Sequence, residues 1–90
     1  MNKETISKDD ILKRIRWRSR RGVLENDLIL TKFLDNYEKE LTFDELNSYS
    51  ELLELNDNDL MDLLLGKKEP AGELNNNQLK SLLKLIRENN

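Results

Sequence analysis

Cysteine and histidine are both absent from this chain of 90 residues. Their absence excludes disulfide frameworks, thiolate nucleophiles, zinc sites of the Cys/His type and catalytic triads that depend on a histidine base. Carboxylates and lysines are plentiful, but no pair of them is marked out by surroundings that would tune it for acid–base chemistry. We therefore expect no catalytic residue, no metal site and no enzymatic activity of the chain's own.

Long apolar runs are also missing. The longest one falls far short of the ~20 residues that a membrane-spanning helix requires, so we expect no interaction with a membrane. The opening segment carries Glu4, Asp9 and Asp10 and lacks the apolar stretch of a secretory signal peptide. Together with the lack of cysteine, this pattern predicts a mature cytoplasmic protein.

Residues that favour strands and turns are scarce. Glycine occurs three times and proline once, β-branched residues are sparse, and no segment of strand length alternates between apolar and polar residues. The composition therefore predicts an all-α protein, and the length predicts one domain. We expect a single helical domain over residues 1–90, a monomer, with a flexible N-terminus at about residues 1–7 and a frayed C-terminus at about residues 88–90.

The first two helices are predicted from caps and apolar spacing. Ser7 is a candidate N-cap for a first helix, which we expect Gly22 to stop. A second helix is expected over about residues 23–40, and its apolar residues cover more than half of its circumference, as in a central helix. These apolar residues are Leu24, Leu28, Leu30, Phe33, Leu34, Tyr37 and Leu41.

Three further helices follow. Thr42 and Glu45 form a capping-box pattern ahead of a third helix that we expect to end near Leu55. A turn rich in Asn and Asp caps a short fourth helix, which Gly66 stops. A linker at residues 67–72 precedes the last helix, whose apolar face is marked by Leu79, Leu82, Leu83 and Ile86. The order of elements predicts a compact five-helix bundle.

The densest charged feature is the segment KRIRWRSRR at residues 13–21, with six basic residues and one tryptophan. On a helix that advances about 100° per residue, it divides into an apolar side and a cationic side that includes Trp17. The apolar side comprises Ile11, Leu12, Ile15 and Ser19, and the cationic side comprises Lys13, Trp17, Arg20 and Arg21. Two interpretations are open. Either the arginines are solvated or paired with the rest of the molecule, or the cationic side recognises another macromolecule.

The charge distribution bears on the kind of partner. The net charge of −3 combines +5 on residues 1–21 with −8 on residues 22–90. The acidic body would repel a nucleic acid beyond the basic patch, and the chain has no glycine-rich phosphate loop and no RNA-binding aromatic motif. A protein with an acidic or carbonyl-lined cleft is the easier partner, because arginines bind carboxylates bidentately there. A small nucleic-acid-binding or antitoxin-like regulator that uses the basic first helix remains the alternative function.

Arg21, Gly22 and Glu25 form an R-G-x-x-E string at the junction of the first two helices. Helix capping explains the string without any partner. Gly22 supplies a left-handed residue after the first helix, Arg21 lies near that helix's negative C-terminus, and Glu25 lies in the first turn of the next helix. By itself, the string is therefore no evidence of a binding site.

Residues 14–33, RIRWRSRRGVLENDLILTKF, closely resemble the signature of the succinate dehydrogenase assembly factor family, the SdhE-type flavinylation factors. In that family a basic first helix with an aromatic residue leads into R-G-x-x-E and a long apolar helix. The resemblance implies a factor that promotes covalent attachment of FAD to the flavoprotein subunit of succinate dehydrogenase, and in bacteria also of fumarate reductase. It further implies that FAD and the histidine bonded to it belong to the client, the flavoprotein on which the factor acts.

The resemblance also assigns candidate residues. Arg21, Gly22 and Glu25 are the motif residues for partner binding, and Trp17, Arg14 and Arg20 are flanking candidates on the same face. We expect Gly22 to let the backbone approach the client and Arg21 to bind a client carboxylate or carbonyl. Glu25 either pairs with a client cation or holds Arg21 from within. No stable binding of FAD by the chain alone is expected, because no glycine-rich dinucleotide fingerprint is present.

Overall fold

Five α-helices make up most of the computed structural model, which describes residues 7–89. They are α1 (Lys8–Ser19), α2 (Leu24–Tyr37), α3 (Phe43–Leu53), α4 (Asp57–Leu64) and α5 (Asn77–Asn89). A single 3-10 turn, Gly72–Leu74, lies between α4 and α5, and no strand occurs within the described range. The prediction of an all-α five-helix bundle is confirmed. The expected flexible N-terminus falls mainly on residues 1–6, which lie outside the described residues, as does position 90. Residues 88 and 89 are helical.

The predicted helix starts are confirmed by side-chain caps. The Ser7 hydroxyl accepts a hydrogen bond from the Asp10 backbone N–H at 3.1 Å, which caps α1. Thr42 and Glu45 form the complete capping box of α3, with reciprocal side-chain to backbone bonds of 3.1 and 2.8 Å. Such caps satisfy the N–H groups that the first turn of a helix leaves without intrahelical partners. They depend on residues three apart, which is why the sequence reveals them.

The core is built from leucines around two aromatic rings. Phe33 of α2 stacks on Tyr49 of α3 with ring centroids 6.1 Å apart, and both side chains are fully buried. Helix α3 packs against α1 and α5, and α2 packs against α1, α4 and α5. Helices α2 and α5 each pack against three other helices, so the central position predicted for α2 is shared with α5.

Three details of the predicted helices are wrong. Helix α1 ends at Ser19, before Gly22, and the intervening Arg20 is already extended, with φ −85° and ψ 93°. Helix α2 ends at Tyr37, and its apolar residues Leu24 and Leu28 are exposed to solvent instead of joining the core. Helical spacing identifies apolar residues but does not tell which of them neighbouring helices will cover.

Arg16 ties α1 to α2. Its guanidinium bonds the carboxylates of Asp35 and Glu38 at 2.9 and 2.7 Å. Burial acts to lower the pKa of Arg16, but the hydrogen bonds to the two carboxylates outweigh it, so that the pKa lies above its ordinary value. Thus one arginine of the basic segment pairs with the rest of the molecule. None of the helices in the described range is both long enough and apolar enough for a membrane span.

Candidate partner-binding surface

The junction between α1 and α2, residues 20–23, forms an exposed corner. Gly22 has φ +81°, a left-handed conformation that residues with a side chain rarely adopt. Apart from its two chain neighbours, no atom of the described residues lies within 4 Å of where a Cβ of Gly22 would stand, so its backbone is open on that side. The positive φ predicted for Gly22 is confirmed. The glycine is required by backbone conformation and not by close packing inside this chain.

Asp27 holds the corner from the first turn of α2. Its two carboxylate oxygens accept the backbone N–H groups of Arg21 and Gly22 at 3.0 and 3.2 Å. These N–H groups have no helical partner, because both residues lie between the helices. The sequence analysis did not single out Asp27. Asp27 lies two residues after Glu25 in the first turn of α2. Acidic residues are common in the first turn of helices, so nothing in the sequence distinguished it.

The side chain of Arg21 turns into the molecule. Its Nε bonds the Oδ1 of Asp57 at 2.6 Å, its Nη1 donates to the carbonyl of Leu53 at 2.6 Å, and its Nη2 donates to the carbonyl of Leu55. Only 17% of the side chain is exposed. Arg21 therefore caps the C-terminus of α3, not that of α1 as the sequence suggested. The carbonyls at a helix end carry the negative end of the dipole and need such donors.

Asn26 fastens the same region to α4. It is fully buried, and its Nδ2 donates to the backbone carbonyl of Asp57 at 3.1 Å. Its Oδ1 is buried without a hydrogen-bond partner among the described residues. Asp57 thus accepts hydrogen bonds from Arg21 at its carboxylate and from Asn26 at its backbone carbonyl. These bonds hold both the corner and the start of α2 against the start of α4. The sequence analysis did not identify Asn26 as a structural residue. The one signal that could have done so is its position, since it is a polar residue next to the strongly apolar face of α2.

Trp17 lies on the side of α1 that faces away from the core. Its side chain is 76% exposed, whereas Ile15 and Ser19 are buried, so the predicted division of the helix is confirmed for these residues. Trp17 and Arg20 line a shared open cleft of about 270 Å³, and Arg14, one turn earlier, is also exposed. Arg21 does not belong to this face, although the helical projection placed it there, because α1 ends at Ser19.

Glu25 is exposed in the first turn of α2. The carboxylates that bond Arg21 are those of Asp27 and Asp57, and none of the ion pairs within residues 7–89 includes Glu25. Of the two roles left open by the sequence, holding Arg21 from within is therefore not what the structure displays.

The described residues form no obvious centre for chemistry. Within residues 7–89, no group of three or more carboxylate, histidine or cysteine side chains is arranged to hold a metal ion. The arrangement around Gly22 instead combines an exposed aromatic ring, the exposed guanidinium groups of Arg14 and Arg20, and an open backbone. Exposed tryptophan and arginine are the residue types enriched where proteins bind other proteins.

Comparisons with known proteins point to one family. The family model described as "Flavinator of succinate dehydrogenase" matches residues 13–90. The protein named FAD assembly factor SdhE from Ralstonia nicotianae is 51% identical over 74 residues, which are 82% of this chain and 78% of the relative. The protein of the same name from Legionella pneumophila (strain Lens) is 44% identical over 61 residues, 68% of this chain and 77% of the relative. That from Coxiella burnetii is 41% identical over 58 residues, 64% of this chain and 71% of the relative. No solved structure gives a significant match.

Proposed function

Because this chain belongs to the family of succinate dehydrogenase flavinators, it is an FAD assembly factor, and we propose that it acts by docking on the flavoprotein subunit of that enzyme. Docking would promote covalent attachment of FAD to that subunit. The FAD and the residue to which it becomes bonded belong to the client. This chain has no histidine or cysteine that could compete for the flavin.

The docking surface consists of Arg14, Trp17, Arg20, Gly22 and Glu25. The observation that carries this assignment is the exposure of Trp17 beside a backbone corner that none of the described residues covers. A tryptophan that is three-quarters exposed keeps a large apolar area in water, and covering it in a complex would be favourable. The guanidinium groups of Arg14 and Arg20 would bind carboxylates or carbonyls at the edge of the same contact.

Arg21 has a different role in this proposal from the one expected at first. To reach a client, its guanidinium would have to leave Asp57 and the two carbonyls at the end of α3. Charged groups deprived of such partners are costly to leave partly buried. We therefore assign Arg21 to partner binding as a positioning residue: it holds the corner in place so that Gly22 can meet the client.

The proposed mechanism is templating. The factor binds the client and favours a client conformation in which the flavin and the accepting residue lie close together. It supplies no catalytic residue and binds no cofactor stably by itself. The free energy for ordering the client comes from the docking surface, so the rate of flavin attachment should follow the occupancy of the complex.

Several finer features of this proposal rest on the sequence analysis, and the first of them only on what the family resemblance implies. They are a second client in the related fumarate reductase flavoprotein, a monomeric and cytoplasmic factor, and no binding to nucleic acid. Light scattering, cell fractionation and gel retardation at physiological salt would test the last three. Strong retardation of DNA or RNA, weakening with salt, would instead support the nucleic-acid regulator considered above.

Reconstitution tests the function directly. The flavoprotein subunit is purified from cells that lack the factor and incubated with FAD, and covalently bound flavin is followed by its fluorescence in denaturing gels. We expect the wild-type chain to increase the flavinylated fraction and Trp17→Ala to lose most of this effect. Phe43→Ala, which removes another exposed aromatic side chain outside the docking surface, is the matched control. An equal effect of Trp17→Ala and wild type would contradict the assignment of the surface.

A further inference from the structure

Helix α2 has apolar residues that the other described residues, 7–89, leave uncovered. Leu24 and Leu28 lie one turn apart and are 71% and 60% exposed, while Leu30 and Phe33 on the same helix are fully buried. A helix that is apolar over more than half of its circumference is typical of an element with neighbours on both sides. Within the described fold, the neighbouring helices cover Leu30 and Phe33 but leave Leu24 and Leu28 exposed.

Exposed large apolar side chains are concentrated at this end of the molecule. In residues 7–89 there are four of them, Trp17, Leu24, Leu28 and Phe43. Three of the four lie within the last turns of α1 and the first two turns of α2, on either side of the Gly22 corner. Single exposed apolar residues are ordinary, whereas a cluster bordered by charged groups marks an interaction site.

A groove extends the cluster toward α4. Leu28, Ile29 and Leu65 form its apolar lining, Glu25 stands at its edge, and its volume is about 190 Å³. Ligand pockets generally have volumes of about 300–1,000 Å³, so this groove is too small for a dinucleotide and suits one side chain of a protein. The carboxylate of Glu25 has no ion-pair partner among the described residues and can accept a cation there.

We propose that this groove is a specificity-determining part of the docking surface and takes one aliphatic or aromatic side chain of the client flavoprotein, next to a client Lys or Arg that pairs with Glu25. The inference rests on the proposed function. The client is the occupant because Glu25 belongs both to the R-G-x-x-E string and to the edge of the groove. A protein bound at the Gly22 corner that also contacts Glu25 would therefore meet the groove at Leu28.

Substitution of the exposed leucines tests the proposal. Leu24→Gln and Leu28→Gln keep side-chain size and good helix propensity, and both sites are exposed, so the melting temperature should stay close to that of wild type. Phe43→Gln is the matched control, an equally polar change at the remaining exposed apolar residue. The affinity of each variant for the purified, non-flavinylated flavoprotein subunit of succinate dehydrogenase is measured by titration calorimetry in the presence of FAD.

We expect Leu28→Gln to weaken binding by about 10-fold or more, equivalent to about 1.4 kcal/mol, and Phe43→Gln to bind like wild type. Unchanged affinity of Leu28→Gln, together with loss of binding by Gly22→Arg, overturns the groove and leaves the proposed function intact. If the wild-type chain fails to bind the flavoprotein, the proposed function is overturned, and so is the proposal that the flavoprotein occupies the groove. A wild-type dimer that Leu28→Gln dissociates, seen by light scattering, also overturns the proposal, since a second copy would then cover the face.

Discussion

The guanidinium of Arg21 and the carboxylate of Asp57 meet at 2.6 Å, although the two residues are 36 positions apart. This contact joins the corner after α1 to the first residue of α4. The same guanidinium caps the end of α3 through the carbonyls of Leu53 and Leu55. One side chain therefore fixes three helices around the glycine that we place at the centre of the docking surface.

Arg21→Lys should destabilise the fold. A lysine carries one ammonium group and cannot reach Asp57 and both carbonyls with the planar geometry of a guanidinium. We expect the free energy of unfolding to fall by about 1–2 kcal/mol, since charged hydrogen bonds are lost but Asp57 remains partly exposed to water. Urea unfolding measures the change. Arg20→Lys, at the exposed neighbouring position, should shift the same free energy by less than about 0.5 kcal/mol. Equal stabilities of the two variants would contradict the bracing role of Arg21.

Gly22→Arg should prevent docking while leaving the helices folded. The positive φ of Gly22 makes any side chain cost about 1 kcal/mol, but no atom of the described residues lies within 4 Å of where its Cβ would stand. Gly72→Arg is a closely matched control, because Gly72 also has a positive φ, +62°, and no described atom within 4 Å of its Cβ position. We expect similar circular dichroism and similar small losses of stability for the two variants, and loss of flavinylation only for Gly22→Arg. Unfolding of Gly22→Arg alone would mean that the glycine serves the fold.

Glu25→Gln should reduce flavinylation without weakening the fold. Glu25 is exposed, and its removal from the first turn of α2 should change the free energy of unfolding by no more than about 0.5 kcal/mol. If a client cation pairs with this carboxylate, we expect the affinity for the flavoprotein to fall by about 10-fold. Glu51→Gln, at an exposed position in α3, should leave the affinity unchanged. A loss of stability as large as that of Arg21→Lys would instead assign Glu25 to the interior brace.

Tyr49 should make the protein sensitive to alkali. Burial raises the pKa of its hydroxyl above the ordinary value, and the hydrogen bond with Ser19 opposes this only in part. The folded state therefore keeps the proton at a pH where the unfolded state has released it, so stability should decline as the pH rises above about 10. Tyr49→Phe should flatten this decline in urea unfolding between pH 8 and 11. Tyr37→Phe, which removes the hydroxyl of a partly buried tyrosine, should retain it. A decline of the same slope in Tyr49→Phe would contradict this account.

Local features of the fold were determined by the sequence itself. The Ser7 cap, the Thr42 and Glu45 capping box and the left-handed Gly22 each involve residues that are at most three apart or a single backbone angle. Such features follow from the hydrogen-bonding needs of helix ends, which are the same in any helical protein. The division of α1 between a buried Ile15 and an exposed Trp17 likewise follows from helical spacing.

Only the tertiary structure decided how the R-G-x-x-E string is used. Which acceptors the Arg21 guanidinium finds depends on the arrival of α3 and α4, 32 to 36 residues further along the chain. Whether Leu24 and Leu28 are covered depends in the same way on where α4 and α5 pack on α2. Ion pairs and the covering of particular apolar residues depend on surfaces brought together over long separations. The periodicity of a single helix indicates which face is apolar, but not which residues of that face a neighbouring helix will cover.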